Sequence, residues 1–283
     1  MASRVDALAT KYLRPRKIPS TACGGCGLGQ VHKQVIKAVD ELGLGLDDIV
    51  WGTGIGCAGR QTFNTWKGDN FAGTHGRAYV IATGLKLALP PDKKIILTVG
   101  DGDAFSIGLA HLMNCARRNV GMTVIVLDNL GYMSTGGQYG VSTPKGIKTD
   151  SSPYGMYEPN WLQKGAGLMG MLREAGATFL ARHTSIQGPV VVESVKKALL
   201  NNGFSLVQVI YPCVTNFSGV AFGSRDPLVA YRWLKEHTVG MHDETTKETC
   251  FRTGIYHDAS NTRIEYSELQ RGVVSDIQRR EYQ

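Results

Sequence analysis

A chain of 283 residues, 42% of them hydrophobic, carries enough apolar material for a sizeable core in one large domain or two small ones. No apolar run reaches the length that spans a bilayer, so no membrane role is expected. The net charge of +7 is scattered and not interleaved with aromatic residues, which argues against nucleic acid and for a basic face that meets an acidic protein partner.

In chain order, the stretch MASRVDALATKYLRPRK lacks the apolar centre of a secretory signal and carries Asp6, so it is expected to belong to the mature protein. Residues 23–26 then read CGGC, the way a thioredoxin-like pair, a structural zinc site and an iron–sulfur cluster all begin. A helix is predicted over 30–43 and a strand over 47–53. Residues 54–59, GIGCAG, formally match G-x-G-x-x-G after a strand. RQTFNTWKGDNF, which follows, does not read as a clean helix, and no acidic residue ends a second strand at the right distance. A tight loop passing close to a ligand is therefore expected, not a dinucleotide fingerprint.

Helices are predicted over 77–89, 105–118, 160–176, 190–203 and 227–237, the last with Pro227 at its first position. Between them, 94–100, 122–128, 178–182 and 205–210 are short, β-branched and apolar on both faces, as in a buried parallel sheet. This alternation predicts an α/β fold with a doubly wound, mainly parallel sheet, in one domain over 1–237. From about 238 to 283 the chain is mixed in charge and weakly periodic, and reads as a C-terminal extension. Six cysteines without a signal favour a reducing cytoplasm and thiolate ligands over disulfides. Cys115 lies in an apolar helical pattern and reads as a buried small hydrophobe, whereas Cys250 sits in the polar tail as a free thiol.

Gly100-Asp101-Gly102 closes one strand and Asn129 closes the next. In a parallel sheet both ends lie on the edge where α/β folds bind ligands. Asp101 and Asn129 are thus expected to converge and to offer the oxygen donors that Mg²⁺ or Ca²⁺ requires. Gly102 would leave room for a phosphate near a helix N-terminus. A turn Asp-Gly and a capping Asn would look the same.

G-D-G with Asn at this spacing resembles the motif by which thiamine diphosphate enzymes hold the cofactor through Mg²⁺. CGGCG, GIGCAGR, THGRAYVIATGLKLA, GDGDAFSIGLAHLMNCARRN, LDNLGYMSTGGQ, STPKG and YPCVTNF follow in order. Together, over roughly residues 10–218, they resemble the β subunit of the 2-oxoacid:ferredoxin oxidoreductases, within the thiamine diphosphate-binding fold. The resemblance implies a [4Fe–4S] cluster held by Cys23, Cys26, Cys57 and Cys213. A zinc site would use the same thiolates but usually takes two short-spaced pairs, and a thioredoxin-type pair belongs to a smaller redox fold.

The same resemblance implies Asp101, Asn129 and the Gly131 carbonyl as Mg²⁺ ligands. It places Gly56, Cys57, His75, Gly100, Gly102, Asp103, Thr135 and Gly136 around the cofactor, with Ser134 in the same small-residue loop. Arg60, three residues after Cys57, would pair with a substrate carboxylate. The implied reaction is oxidative decarboxylation of a 2-oxo acid with coenzyme A, giving acyl-CoA, carbon dioxide and reduced ferredoxin, or its reverse. Arg60 and the TGGQ loop favour 2-oxoglutarate, although GYMSTGG also resembles the pyruvate-using branch, and a branched-chain substrate stays open. The carboxylate that activates the aminopyrimidine is a Glu of an α subunit, so an (αβ)₂ assembly is expected. A non-redox thiamine enzyme with a zinc site, or a flavodoxin-like nucleotide-binding module, remains an alternative.

Overall fold

The computed structural model describes residues 4–155, 167–244 and 249–281. Among these residues eight strands form one sheet: β1 (Ile49–Thr53), β2 (Asn70–Ala72), β3 (Lys94–Gly100), β4 (Met122–Asp128), β5 (Phe179–Thr184), β6 (Phe204–Ile210), β7 (Thr238–Gly240) and β8 (Phe251–Asp258). Their order is β2-β1-β3-β4-β6-β5-β8-β7. The pairings from β2 to β5 are all parallel, and β8 joins β5 antiparallel. In β4 (MTVIVLD) and β6 (FSLVQVI) every residue is buried, as expected for strands covered on both faces.

Helices cover both faces. They are α1 (Arg4–Tyr12), α2 (Gly27–Glu41), α3 (Cys57–Thr65), α4 (Ala78–Ala88), α5 (Leu109–Arg118), α6 (Gly167–Ala175), α7 (Gly188–Leu200), α8 (Phe217–Ala221), α9 (Pro227–Glu236) and α10 (Tyr266–Glu281). On one face α2 and α7 pack Val31, Val35, Val39, Val191 and Val195 against Trp51, Ile96, Ile125 and Val207 of the sheet. On the other, α4, α5 and α6 pack Tyr79, Ala82, Leu112, Ala116 and Leu172 against Leu97, Val99, Val124 and Leu206. The architecture is the doubly wound α/β sheet that the alternation predicts.

Several sequence readings are revised. The segment after GIGC is a helix, α3, despite its polar composition. Of its buried polar side chains, Thr65 donates to the Gln61 carbonyl within the helix at 2.6 Å, and Thr62 accepts from Thr98 of β3 at 2.9 Å. The helix predicted over 105–118 is split. One turn of π-helix (Gly102–Ser106) precedes α5, and between them Gly108 packs so tightly that a Cβ would stand 2.0 Å from the Asp103 carbonyl. The helix predicted to 203 stops at Leu200, where Asn201 turns extended and bonds Thr178 and Ser205. The first half of the 160–176 prediction lies outside the described residues. Beyond 237 the chain supplies β7, β8 and α10. Cys250 is buried beside Phe251 at the start of β8, not displayed in a polar tail.

No helix among the described residues is long and apolar enough to cross a membrane.

Candidate functional site

Parallel strands deliver their C-terminal ends to one edge. The register pairs Gly52 with Leu97 and Gly100 with Leu127, so the loops after β1, β3 and β4 emerge side by side. Between them opens a cleft of about 130 Å³. Its walls include Gly56, Cys57, His75, Gly100, Asp101, Gly102, Asp103, Asn129, Gly131 and Thr135, together with Tyr211 just past β6. All but one of the residues that the resemblance places around the cofactor thus meet in this cleft. Gly136 lies one residue beyond its wall. Arg60 does not join them; it stands exposed on α3, and the cleft is lined without it.

Asp101 is buried, and one carboxylate oxygen accepts from Ser142 Oγ at 2.7 Å. Burial, and then the negative charge of Asp128, push its carboxyl well above the usual carboxylate range. Asn129 donates from Nδ2 to the hydroxyl of Tyr211 at 3.0 Å, which fixes its amide plane and leaves Oδ1 as the remaining acceptor. The next turn is strained. Leu130 has φ of 70°, a region that a branched side chain rarely occupies. It is held there by its N–H donating to Asp128 Oδ1 at 2.9 Å and by Thr143 Oγ1 donating to its carbonyl at 2.6 Å. Gly131 follows with φ of 148°, where a Cβ would stand 2.5 Å from the Gln138 carbonyl.

Carboxylate, amide oxygen and backbone carbonyl form a hard-donor set suited to Mg²⁺. The space beside Gly102 is not open as expected. A Cβ there would meet the Tyr132 ring at 2.4 Å, so this glycine admits an aromatic wall.

Asp103 is the residue whose role the sequence concealed. It is fully buried and gathers N–H donors from Ile55 (3.1 Å), Gly76 (2.8 Å) and Gly100 (3.2 Å), plus His75 Nδ1 at 2.5 Å. One carboxylate thereby ties three loops together and orients His75 at the cleft wall. The signal was its place two residues after the G-D-G aspartate, but nothing in the sequence told its partners.

The cysteines gather beside the cleft. Gly27 sits so close to the 211–212 segment that a Cβ would stand 2.5 Å from Tyr211 Cβ, bringing the CGGC loop against the loop that carries Cys213. Gly25, at φ of 77°, is pressed in the same way onto Pro227, the first residue of α9. Burial first, and then Cys213, Cys23 and Cys57 in turn, push the Cys26 thiol up to about 12. Cys23, Cys57 and Cys213 thus all act on the Cys26 thiol, whereas Cys115 packs in a different apolar cluster of the core. Among the described residues no three His, Cys, Asp or Glu side chains are drawn into a closed metal-holding group. Four thiols converging from three loops, two of them on close-approach glycines, nevertheless fit the donor chemistry of an iron–sulfur cluster.

Comparison with known proteins accords with this geometry. Residues 54–209 match the thiamine pyrophosphate enzyme, C-terminal TPP binding domain family. The chain is 36% identical over 234 residues to the 2-oxoglutarate synthase subunit KorB of Methanocaldococcus jannaschii, covering 83% of this chain and 84% of that one. The corresponding subunit of Methanothermobacter marburgensis is 38% identical over 229 residues, covering 81% and 78%. The solved 2-oxoglutarate:ferredoxin oxidoreductase from Magnetococcus marinus, with 2-oxoglutarate, coenzyme A and succinyl-CoA bound, superposes with a TM-score of 0.80 at 26% identity, over 95% of this chain and 90% of that one. With a thiamine diphosphate-binding domain over its centre and such relatives over most of its length, the chain belongs to the β subunits of the 2-oxoacid:ferredoxin oxidoreductases.

Proposed function

We propose that this β subunit takes part in the coenzyme A-dependent oxidative decarboxylation of 2-oxoglutarate, passing single electrons through a [4Fe–4S] cluster to ferredoxin. The observation that carries the reading is Tyr211. Its hydroxyl bonds Asn129 in the cleft, its Cβ lies against Gly27 beside Cys26, and Cys57 stands on the same cleft wall. A cofactor site and a thiol site that share one side chain are close enough for electrons to pass between them.

Thiamine diphosphate, when bound, supplies the carbanion that attacks the keto carbon and the ring that accepts the electron pair as carbon dioxide leaves. The chain's own residues hold and shape the site. Asp101, Asn129 and the Gly131 carbonyl would hold the Mg²⁺ that anchors the diphosphate. His75, oriented by Asp103, stands at the wall as a hydrogen-bonding group. Gly56 and Tyr132 narrow the cleft. Cys23, Cys26, Cys57 and Cys213 would hold the cluster, which accepts electrons one at a time.

The activating carboxylate would come from a Glu of an α partner. Exposed Ile55 on the cleft wall and Ile107 against Gly76 give such a partner an apolar seat. The substrate reading rests on the relatives' names and on the ligands of the Magnetococcus structure.

The test is anaerobic co-purification with the α partner, followed by iron, sulfide and thiamine assays and by rates with 2-oxoglutarate, pyruvate and branched-chain 2-oxo acids. Brown protein with a marked preference for 2-oxoglutarate is the expected result. A colourless but thiamine-loaded protein would refute the redox reading, and a preference for pyruvate would refute the substrate.

A further inference from the structure

The 3₁₀ turn Met133–Thr135 presents two adjacent hydroxyls. Thr135 directs its own to Gln138 Oε1 at 2.7 Å and to the Tyr132 carbonyl at 3.2 Å. Ser134 directs its Oγ elsewhere, to Cys57 Sγ at 2.9 Å. This contact is built into the loops around it. The Met133 carbonyl accepts from Asn216 Nδ2 at 2.8 Å, and Asn216 stands three residues after Cys213 in the same loop. Met133, Cys213, Leu130 and Phe217 share one apolar cluster beneath the turn. On the opposite side Gly56 has φ of 104°, and a Cβ there would come within 3.3 Å of Ser134 Oγ. The turn is therefore braced between the loops that carry Cys57 and Cys213.

We propose that Ser134 is a positioning residue that donates its hydroxyl hydrogen to Cys57 Sγ and so sets the reduction potential of the [4Fe–4S] cluster. The inference rests on the ligand set proposed above. A cluster-bound sulfur is a thiolate without a proton, so the hydroxyl has to be the donor. Each electron taken up makes the cluster more negative and strengthens that hydrogen bond. Such a bond therefore favours the reduced cluster and raises the potential, one of the means by which proteins tune these centres. The proton stays on Ser134 throughout; only the electron enters the cluster and leaves again. Cys57 and Ser134 both line the thiamine cleft, so the tuned sulfur faces the source of the electrons.

The experiment is an anaerobic, dithionite-driven titration of the co-purified complex, followed by the cluster's electron paramagnetic resonance signal. Wild type is compared with Ser134→Ala and Ser134→Thr, and iron and thiamine diphosphate are measured on the same samples. In Ser134→Ala, cofactor content is expected to be unchanged. The reduced-to-oxidised ratio at fixed potential is expected to fall about tenfold, which is about 59 mV for one electron. Ser134→Thr, which keeps the hydroxyl, is expected to return toward wild type. A wild-type potential in Ser134→Ala overturns the proposal. So does an equal shift in both variants, which would mark a packing effect, and so does loss of iron from Ser134→Ala, which would make the contact structural. Absence of iron from the wild type refutes the ligand set instead, and that outcome is distinct from the others.

Discussion

Replacing Tyr211 with phenylalanine removes one oxygen from the centre of the site. Burial, followed by the charges of Cys26 and Cys57, holds the Tyr211 hydroxyl well above the usual range, so it is neutral at any working pH and accepts the Asn129 N–H. Without it, a buried amide hydrogen loses its partner, at a cost of about 1–3 kcal/mol. The free protein recovers part of that cost by turning the amide toward another acceptor, and ligand binding has to turn it back. That part appears as lost affinity for Mg²⁺ and thiamine diphosphate, at most roughly 5- to 150-fold at 1.4 kcal/mol per decade. The remainder lowers Tm, by roughly 2–4 °C per kcal/mol in a chain of this size. The assay is isothermal titration of the complex with thiamine diphosphate at saturating Mg²⁺, then with Mg²⁺ at saturating cofactor. Unchanged affinity for both, in a variant with a wild-type circular dichroism spectrum, would refute the claim that Tyr211 orients a metal ligand.

Serine at Cys23, Cys26, Cys57 or Cys213 should each strip or destabilise iron, while Cys115→Ser and Cys250→Ser should keep it; iron content per chain decides. Asp101→Ala should abolish Mg²⁺-dependent thiamine diphosphate binding and Asn129→Ala should weaken it strongly, both read by cofactor content after gel filtration. Because burial and Asp128 raise the Asp101 carboxyl, Mg²⁺ affinity at this proposed ligand should climb with pH, measurable by titration calorimetry at a series of pH values. Burial holds His32 and His183 down to about 4, below the ordinary 6.5, so the unfolded chain takes up protons first as pH falls. Their contribution to stability is intact above pH 6.5 and is lost as pH falls toward 4; His183→Gln should flatten the slope of Tm against pH in that window.

The sheet was legible because its strands carry their own signal. KIILTVG and MTVIVLD are continuous apolar runs, and their observed bounds, 94–100 and 122–128, coincide with the predicted ones. Convergence of Asp101 and Asn129 was legible for a topological reason: parallel strands joined by a helix must place both C-terminal ends on one edge. What stayed hidden depends on contacts across the chain. Nothing in the composition of RQTFNTW shows that Thr62 will meet Thr98, so the polar segment that forms α3 did not read as a helix. The tail beyond 237 looks weakly periodic because β8 packs on one face only and α10 buries little.

The formal G-x-G-x-x-G shows how a motif can be real and its usual meaning absent. Each of its glycines has a separate local cause. A Cβ on Gly54 would stand 2.4 Å from the Asp103 carboxylate, which needs that space to reach the Ile55 N–H. Gly56 adopts φ of 104° to turn the chain from β1 into α3 beneath Ser134. A Cβ on Gly59 would stand 2.1 Å from the Gly54 carbonyl, so the first turn of α3 folds back onto the end of β1. None of these requirements calls for a pyrophosphate. Together they draw the loop tight enough to set Cys57 on the cleft wall beside Asp103, His75 and Ser134. A looser loop would still let the sheet form. It would not bring a thiol and the strand-end carboxylates to the same cleft, and the proposed one-electron route rests on that juxtaposition.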